Sequence, residues 1–83
     1  MKASISTDWA HAAAIDARGL QCPLPVLKAR KALLALDSGE CLLVEATDTM
    51  AAIDFPHFCK ESGHRLVKSG TDGAILFFLI ERA

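Results

Sequence analysis

The run Ala13-Ala14-Ile15-Asp16-Ala17-Arg18-Gly19-Leu20-Gln21-Cys22-Pro23-Leu24-Pro25-Val26 changes its hydrophobic period part-way along. Up to Ala17 it suits a short strand, and Arg18-Gly19 ends that strand at a residue whose backbone tolerates a turn. From Pro23 the spacing becomes helical. Val26, Ala29, Leu33 and Leu36 recur three and four residues apart, a stripe to be buried, while Lys28, Lys31 and Ala35 fall on another side. Asp37, Ser38 and Gly39 close this helix, with Gly39 expected as a left-handed cap.

Working outward, Glu40 to Thr47 reads as a second strand, and Leu42, Leu43 and Val44 make it apolar on both faces, as an interior strand is. A second helix lies between Thr49 and Ser62, with Asp54 as N-cap, Pro56 in the first turn and Gly63 closing it. Asp48 could instead cap an earlier start, with Pro56 then breaking the helix. Phe55, Phe58, Cys59 and Ser62 share one helical face, so the phenylalanines are assigned to the core. His64 to Ser69 forms a third strand, Gly70 to Gly73 a turn, and Ala74 to Glu81 a fourth strand, apolar on both faces and so inside the sheet. The expected fold is α+β, a two-layer α/β sandwich in the order βαβαββ. Its four-stranded mixed sheet carries both helices on one face and some apolar surface on the other. Residues 1–12 are read as polar and aperiodic, a flexible N-terminal tail with a docking role for Trp9, and residues 13–83 as a single domain.

Eighty-three residues, 52% hydrophobic and 23% charged, with a net charge of -1, fit one small soluble domain. A chain of this length buries only about 60% of its unfolded surface, which leaves no room for a deep enclosed cavity. Activity is therefore expected at the surface. The longest apolar run, Ala74 to Ile80, is far short of the roughly 18 residues of a membrane span. Polar residues interrupt Ala3 to Ala14 before a signal-peptide core can form. Three cysteines cannot all pair within one chain, so free thiols in a reducing cytoplasm are expected. Residues 17–36 hold Arg18, Lys28, Arg30 and Lys31 and no acid, a local charge of +4 that leaves -5 elsewhere. This segment either attracts an acidic partner or is a solvated helix face.

Cys22 stands where the strand-turn meets the helix. A residue before proline is pushed toward the extended conformation of an N-cap, so Cys22 is expected as an exposed cap-position thiol. The partial positive charge of a helix N-terminus, with Arg18 nearby, would favour its thiolate. Lowering a thiol pKa of about 8.5 by one unit raises the thiolate fraction at pH 7 from about 3% to about a quarter. Against this, Pro23 and Pro25 lack N–H groups, leaving only Leu24 and Val26 as nearby donors. Position alone also admits the other reading, that Cys22 is a small buried apolar residue. Cys41, entering a strand, and Cys59, on the Phe-lined helix face, are expected to be structural. No metal site is expected: His57 and Cys59 diverge on a helix, and the chain has no C-x-x-C or H-x-x-x-H spacing.

Asp16-Ala17-Arg18-Gly19-Leu20-Gln21-Cys22-Pro23-Leu24-Pro25 resembles the D-x-R-G-x-x-C-P-x-P signature of TusA-like (SirA-like) sulfur carrier proteins. Asp54-Phe55-Pro56-His57-Phe58-Cys59 is similar to the family's D-I-P-x-F-C stretch, and Gly63-His64-Arg65-Leu66 continues the match. The family commonly has Asp-Pro where this chain has Asp48-Thr49, a departure that bears on the start of the second helix and is expected to leave the Cys22 chemistry untouched. The resemblance implies a two-layer sandwich similar to the C-terminal domain of bacterial translation initiation factor three. It implies that Cys22 accepts sulfur as a persulfide from a cysteine desulfurase and passes it to a downstream sulfur-relay acceptor, serving tRNA thiolation, molybdenum cofactor maturation or sulfur oxidation. Asp16, Arg18, Gly19, Pro23 and Pro25 would shape the site, and Lys28, Arg30 and Lys31 would help dock partners. No cofactor beyond the covalent persulfide sulfur is implied, and a monomer is expected.

Two other classes compete with a carrier. A nucleic-acid or partner-binding regulatory module would use the +4 segment, although near-neutral charge and the absence of an aromatic platform argue against direct nucleic-acid binding. A thiol redox switch would use Cys22 but finds no nearby resolving cysteine.

Overall fold

A computed structural model describes residues 10–83. The expected mobile tail and the docking role of Trp9 fall largely on residues 1–9, outside the described residues. The elements follow the expected order: β1 (Ala13–Ala17), α1 (Leu24–Leu34), β2 (Cys41–Ala46), α2 (Ala51–Ser62), β3 (Arg65–Asp72) and β4 (Ile75–Glu81). They build a four-stranded sheet in the order β1-β2-β4-β3. β1 runs parallel to β2, from Ala13 opposite Leu42 to Ala17 opposite Ala46, with α1 as the crossover. β2 and β3 each run antiparallel to β4, and a bulge interrupts β3 between Leu66 and Lys68. The two strands most continuously apolar, β2 and β4, take the centre, because only an interior strand can bury side chains on both faces.

Both helices cover the same face of the sheet. Ala29 and Leu33 of α1 and Ala51, Phe55 and Cys59 of α2 join Leu42, Val44, Ala46, Phe78 and Ile80 in one core. The Phe55 and Phe78 rings stack at 4.6 Å with their planes 24° apart, locking α2 to β4. Burying a large apolar side chain contributes roughly 1.5–3 kcal/mol, so Phe55, Phe77, Leu33, Leu42, Ile80 and Val44, all fully buried, dominate the favourable side. Among the described residues no charged or polar side chain is buried, and no helix is long and apolar enough to cross a membrane.

Several boundaries differ from expectation. α1 ends at Leu34, before Leu36. Ala35 N–H donates to the Ala32 carbonyl and Leu36 N–H to that of Leu33, tightening the last turn. Gly39 is therefore not the helix cap; its N–H donates to the Arg82 carbonyl at 2.9 Å and it leads into β2. α2 starts earlier than Asp54: Asp48 carries the entry, accepting Met50 N–H on its side chain at 3.1 Å and Ala51 N–H on its carbonyl at 2.9 Å. Pro56 then lies inside the helix without breaking it. A proline there forfeits one bond to the carbonyl four residues back, that of Ala52, while the buried neighbours Phe55 and Cys59 hold the helix on the sheet. β3 runs on to Asp72, so the β3–β4 turn shrinks to Gly73-Ala74. The helix-free face does not present the apolar surface expected of it: Leu43, Phe77 and Leu79 sit there but are 2%, 0% and 2% exposed.

Candidate functional site

Cys22 is the only exposed cysteine of the three; Cys41 is half-buried and Cys59 buried. It sits in the β1–α1 loop, which four hydrogen bonds shape. Gly19 N–H donates to Thr47 Oγ1 at 2.8 Å, Leu20 N–H to the Ala17 carbonyl at 3.2 Å, Cys22 N–H to Asp48 Oδ2 at 2.6 Å and Leu24 N–H to the Gln21 carbonyl at 2.8 Å. Gly19 has φ +80, a backbone region open to glycine at little cost, and that conformation turns the chain from β1 toward the β2–α2 loop. The peptide bond joining Cys22 to Pro23 is cis. Pro23 is the N-cap of α1 and Pro25 is buried within its first turn, so Cys22 lies one residue outside the expected cap position.

The electrostatics at the thiol run opposite to the expected activation. Asp54 faces Cys22 as acceptor and negative charge; with desolvation and the nearby Asp48, it raises the Cys22 pKa above the ordinary thiol value. The helix N-terminus offers little to oppose this. Pro23 and Pro25 have no N–H, the Leu24 N–H is spent on Gln21, and that of Cys22 itself is spent on Asp48. Arg18 is engaged elsewhere. Its Nε and Nη2 donate to the two Asp16 carboxylate oxygens at 2.8 and 2.9 Å, and this fork holds the Asp16 carboxyl far below the usual range. Asp16 and Arg18 thus brace the loop from the end of β1, away from the groove beside Cys22. The other two thiols are also raised: Cys59 to about 11 by burial alone, and Cys41 by burial and then by the Glu81 charge.

A groove of about 280 Å³ opens beside the thiol, with Cys22, Pro23 and Val26 on one wall and Asp54, His57, Phe58 and Glu61 of α2 on the other. Five large apolar side chains are exposed among the described residues: Leu24 at the start of α1 (49%), Met50 and Ile53 at the start of α2 (44% and 64%), and Leu27 and Leu34 further along α1 (51% and 72%). The Met50 backbone shares the Asp48 carboxylate with that of Cys22. Sequence reasoning missed the exposed apolar side chains at the two helix starts and the part played by Asp48 and Asp54. The departure from the family's Asp-Pro falls on Thr49, whereas the residue that holds the Cys22 backbone is Asp48. The basic residues are less concentrated than their spacing suggests. Lys28 Nζ donates to the Asp16 carbonyl at 2.6 Å, Arg30 lines a second groove at the far end of the helix pair with Leu34, Glu61 and Arg82, and Lys31 is exposed in the last turn of α1. Among the described residues no three His, Cys, Asp or Glu side chains are grouped to hold a metal ion.

Comparison with known proteins bears on this arrangement. The family model described as sulfurtransferase TusA matches residues 13–82. The chain is 45% identical over 69 residues to the sulfur carrier protein TusA of Allochromatium vinosum, covering 83% of this chain and 91% of that protein. It is 41% identical to the putative sulfur carrier protein YrkI of Bacillus subtilis, covering 82% and 91% of the two chains. Among solved structures, the SirA-like protein of Desulfitobacterium hafniense superposes with a TM-score of 0.74 at 25% identity, over 83% of this chain and 95% of that one. The chain belongs to the TusA sulfurtransferase family.

Proposed function

We propose that this protein is a persulfide sulfur carrier working from Cys22. The observation that carries the reading is the placement of its one exposed thiol on the wall of an open groove between the two helices. A thiol in that position can enter the site of a larger enzyme and withdraw with its cargo, and exposed Leu24, Met50 and Ile53 supply the surface a transient partner would cover.

The chemistry is a pair of thiol–persulfide exchanges without net oxidation. In loading, the Cys22 thiolate attacks the outer sulfur of the donor's persulfide, the S–S bond in the donor breaks, and the donor leaves as a thiolate that takes up a proton. In delivery, an acceptor thiolate attacks the outer sulfur on Cys22, and Cys22 is the leaving thiolate. A cysteine desulfurase is the donor class, and a downstream sulfur-relay protein the acceptor class. Asp54, by accepting from the thiol and by its charge, keeps the resting Cys22 protonated and resistant to stray electrophiles.

Incubation with a cysteine desulfurase, pyridoxal phosphate and cysteine should add the mass of one sulfur atom to the intact chain. The Cys22→Ser variant should remain unmodified, while Cys41→Ser and Cys59→Ala variants load as the parent does. Sulfur appearing on Cys22→Ser would overturn the assignment.

A further inference from the structure

The two walls of the groove beside Cys22 differ in chemistry. Pro23 and Val26 stand with the thiol on one side, and neither carries a charge. The α2 wall carries Asp54, His57, Phe58 and Glu61, and His57 is exposed. Asp54 faces the sulfur as hydrogen-bond acceptor, so this part of α2 lies within hydrogen-bond reach of the thiol. His57 follows three residues later in α2, on the same helical face and about 5–6 Å further on. Thiol–persulfide exchange has a matching dimension. The attacking sulfur, the sulfur in transit and the leaving sulfur lie nearly in line, and two S–S bonds of about 2.05 Å, lengthened as one forms and the other breaks, put the leaving sulfur roughly 4–5 Å from the attacking one.

Resting on the persulfide-carrier reading, we propose that His57 is the proton donor to the leaving sulfur of a partner seated in this groove, with Asp54 at the attacking sulfur and His57 one turn on at the departing one. In loading, a bond forms between Cys22 Sγ and the donor's outer sulfur and the donor's S–S bond breaks. Its electron pair goes to the donor's own cysteine sulfur, which takes a proton from the His57 imidazolium, and solvent then reprotonates the imidazole. In delivery the acceptor thiol occupies the same place, gives its proton to neutral His57 and attacks the outer sulfur, and Cys22 departs as a thiolate. Sulfur passes on without net oxidation or reduction. The other lining groups do not suit the task. Asp54 and Glu61 bring negative charge rather than a proton to a developing thiolate, and Pro23, Val26 and Phe58 bring neither. Histidine is the side chain that ordinarily gains and loses a proton between pH 5 and 8. The groups that share the groove with it are the Cys22 thiol from the loop and Asp54 and Glu61 from its own helix, with no charge from the α1 wall.

Two neutral disulfides test this role by standing in for the partner's persulfide. The disulfide of mercaptoethanol expels an ordinary alkyl thiolate, which needs a proton, whereas dithiodipyridine expels a weakly basic thione, which does not. With mixed disulfide at Cys22 followed by peptide mass, His57→Gln should slow exchange with mercaptoethanol disulfide roughly tenfold or more at pH 6, and less at pH 8.5, where imidazole ordinarily has no proton to give. Exchange with dithiodipyridine should stay within about twofold of the parent at both pH values. Alkylation by iodoacetamide, whose leaving iodide takes no proton, should do the same. Equal slowing with all three reagents would overturn the proposal, because His57 would then act on Cys22 itself. An unchanged rate with mercaptoethanol disulfide would also overturn it. His57 is exposed, so the variant should fold, which circular dichroism checks. No sulfur is carried in these exchanges, so their outcome is separate from that of desulfurase loading, which decides the carrier reading.

Discussion

At the residue scale the site turns on two carboxylates that hold Cys22 in different ways. Asp48 accepts the backbone N–H of Cys22 on one oxygen and that of Met50 on the other, which joins the thiol loop to the entrance of α2 and holds the Asp48 pKa below the usual carboxylate value. Asp48→Ala removes both bonds; by analogy with lost helix caps it should cost about 0.5–2 kcal/mol in chemical denaturation and slow sulfur loading, whereas Asp48→Asn, which keeps the acceptor oxygen, should retain most of both. Asp54 acts on the sulfur itself. Because its negative charge raises the Cys22 pKa, Asp54→Asn should shift the iodoacetamide alkylation profile of Cys22 to lower pH and speed the reaction at pH 7; an unchanged or opposite shift would show that Asp54 does not set the thiol's protonation. The position of Cys22 between a strand-turn and a proline was legible from its neighbours. Its electrostatics were not, since Asp54 lies far along the chain and only the packing of α2 beside α1 brings it to the sulfur.

At the scale of elements, α2 shows how tertiary packing overrides local signals. Proline at position 56 reads as a first-turn residue or a break, yet the helix passes through it because Phe55 and Cys59 are buried on either side. Its end is set locally: Gly63 takes φ +85 and its N–H donates to the Cys59 carbonyl. Space for a Cβ is open there, so Gly63→Ala should cost about 1–2 kcal/mol from backbone strain alone, with Tm falling by about 4–8 °C per kcal/mol. The next residue links the helix end to the C-terminus. Ala83 N–H donates to His64 Nδ1 at 3.0 Å, which requires neutral imidazole, and burial followed by the Arg82 charge holds the His64 pKa below the ordinary 6.5. Since the folded pKa is depressed, this contribution is complete above pH 6.5 and is lost as pH falls through the lower folded value. Melting curves between pH 7.5 and 5 should show a shallower decline for His64→Phe than for the parent. The alternation of strands and helices was legible because period and punctuation agree. The loop between α1 and β2 was not, because Gly39 is placed by the long-range bond to Arg82 rather than by the helix before it.

For the whole molecule, the Phe55–Phe78 stack ties the helical layer to the sheet within the shared core. Phe55→Ala should cost about 3–5 kcal/mol, a large part of the roughly 4–12 kcal/mol that a domain of this size retains, so the variant should be partly unfolded near physiological temperature by circular dichroism. The layer architecture was legible from two continuously apolar strands and two one-sided helices. The burial of Leu43, Phe77 and Leu79 on the helix-free face was not, since an apolar run in a strand says that both faces are apolar and not how far each is covered. The strand order has a further consequence for handling the protein. β1 begins and β4 ends at one edge of the sheet, near Cys41 and Arg82, whereas Cys22 follows the other end of β1, about a strand length of ~16 Å away. A fusion or surface linkage made through Ala83 would therefore leave the thiol pointing into solution, and an immobilised array of the protein should load and discharge sulfur as readily as the untethered chain.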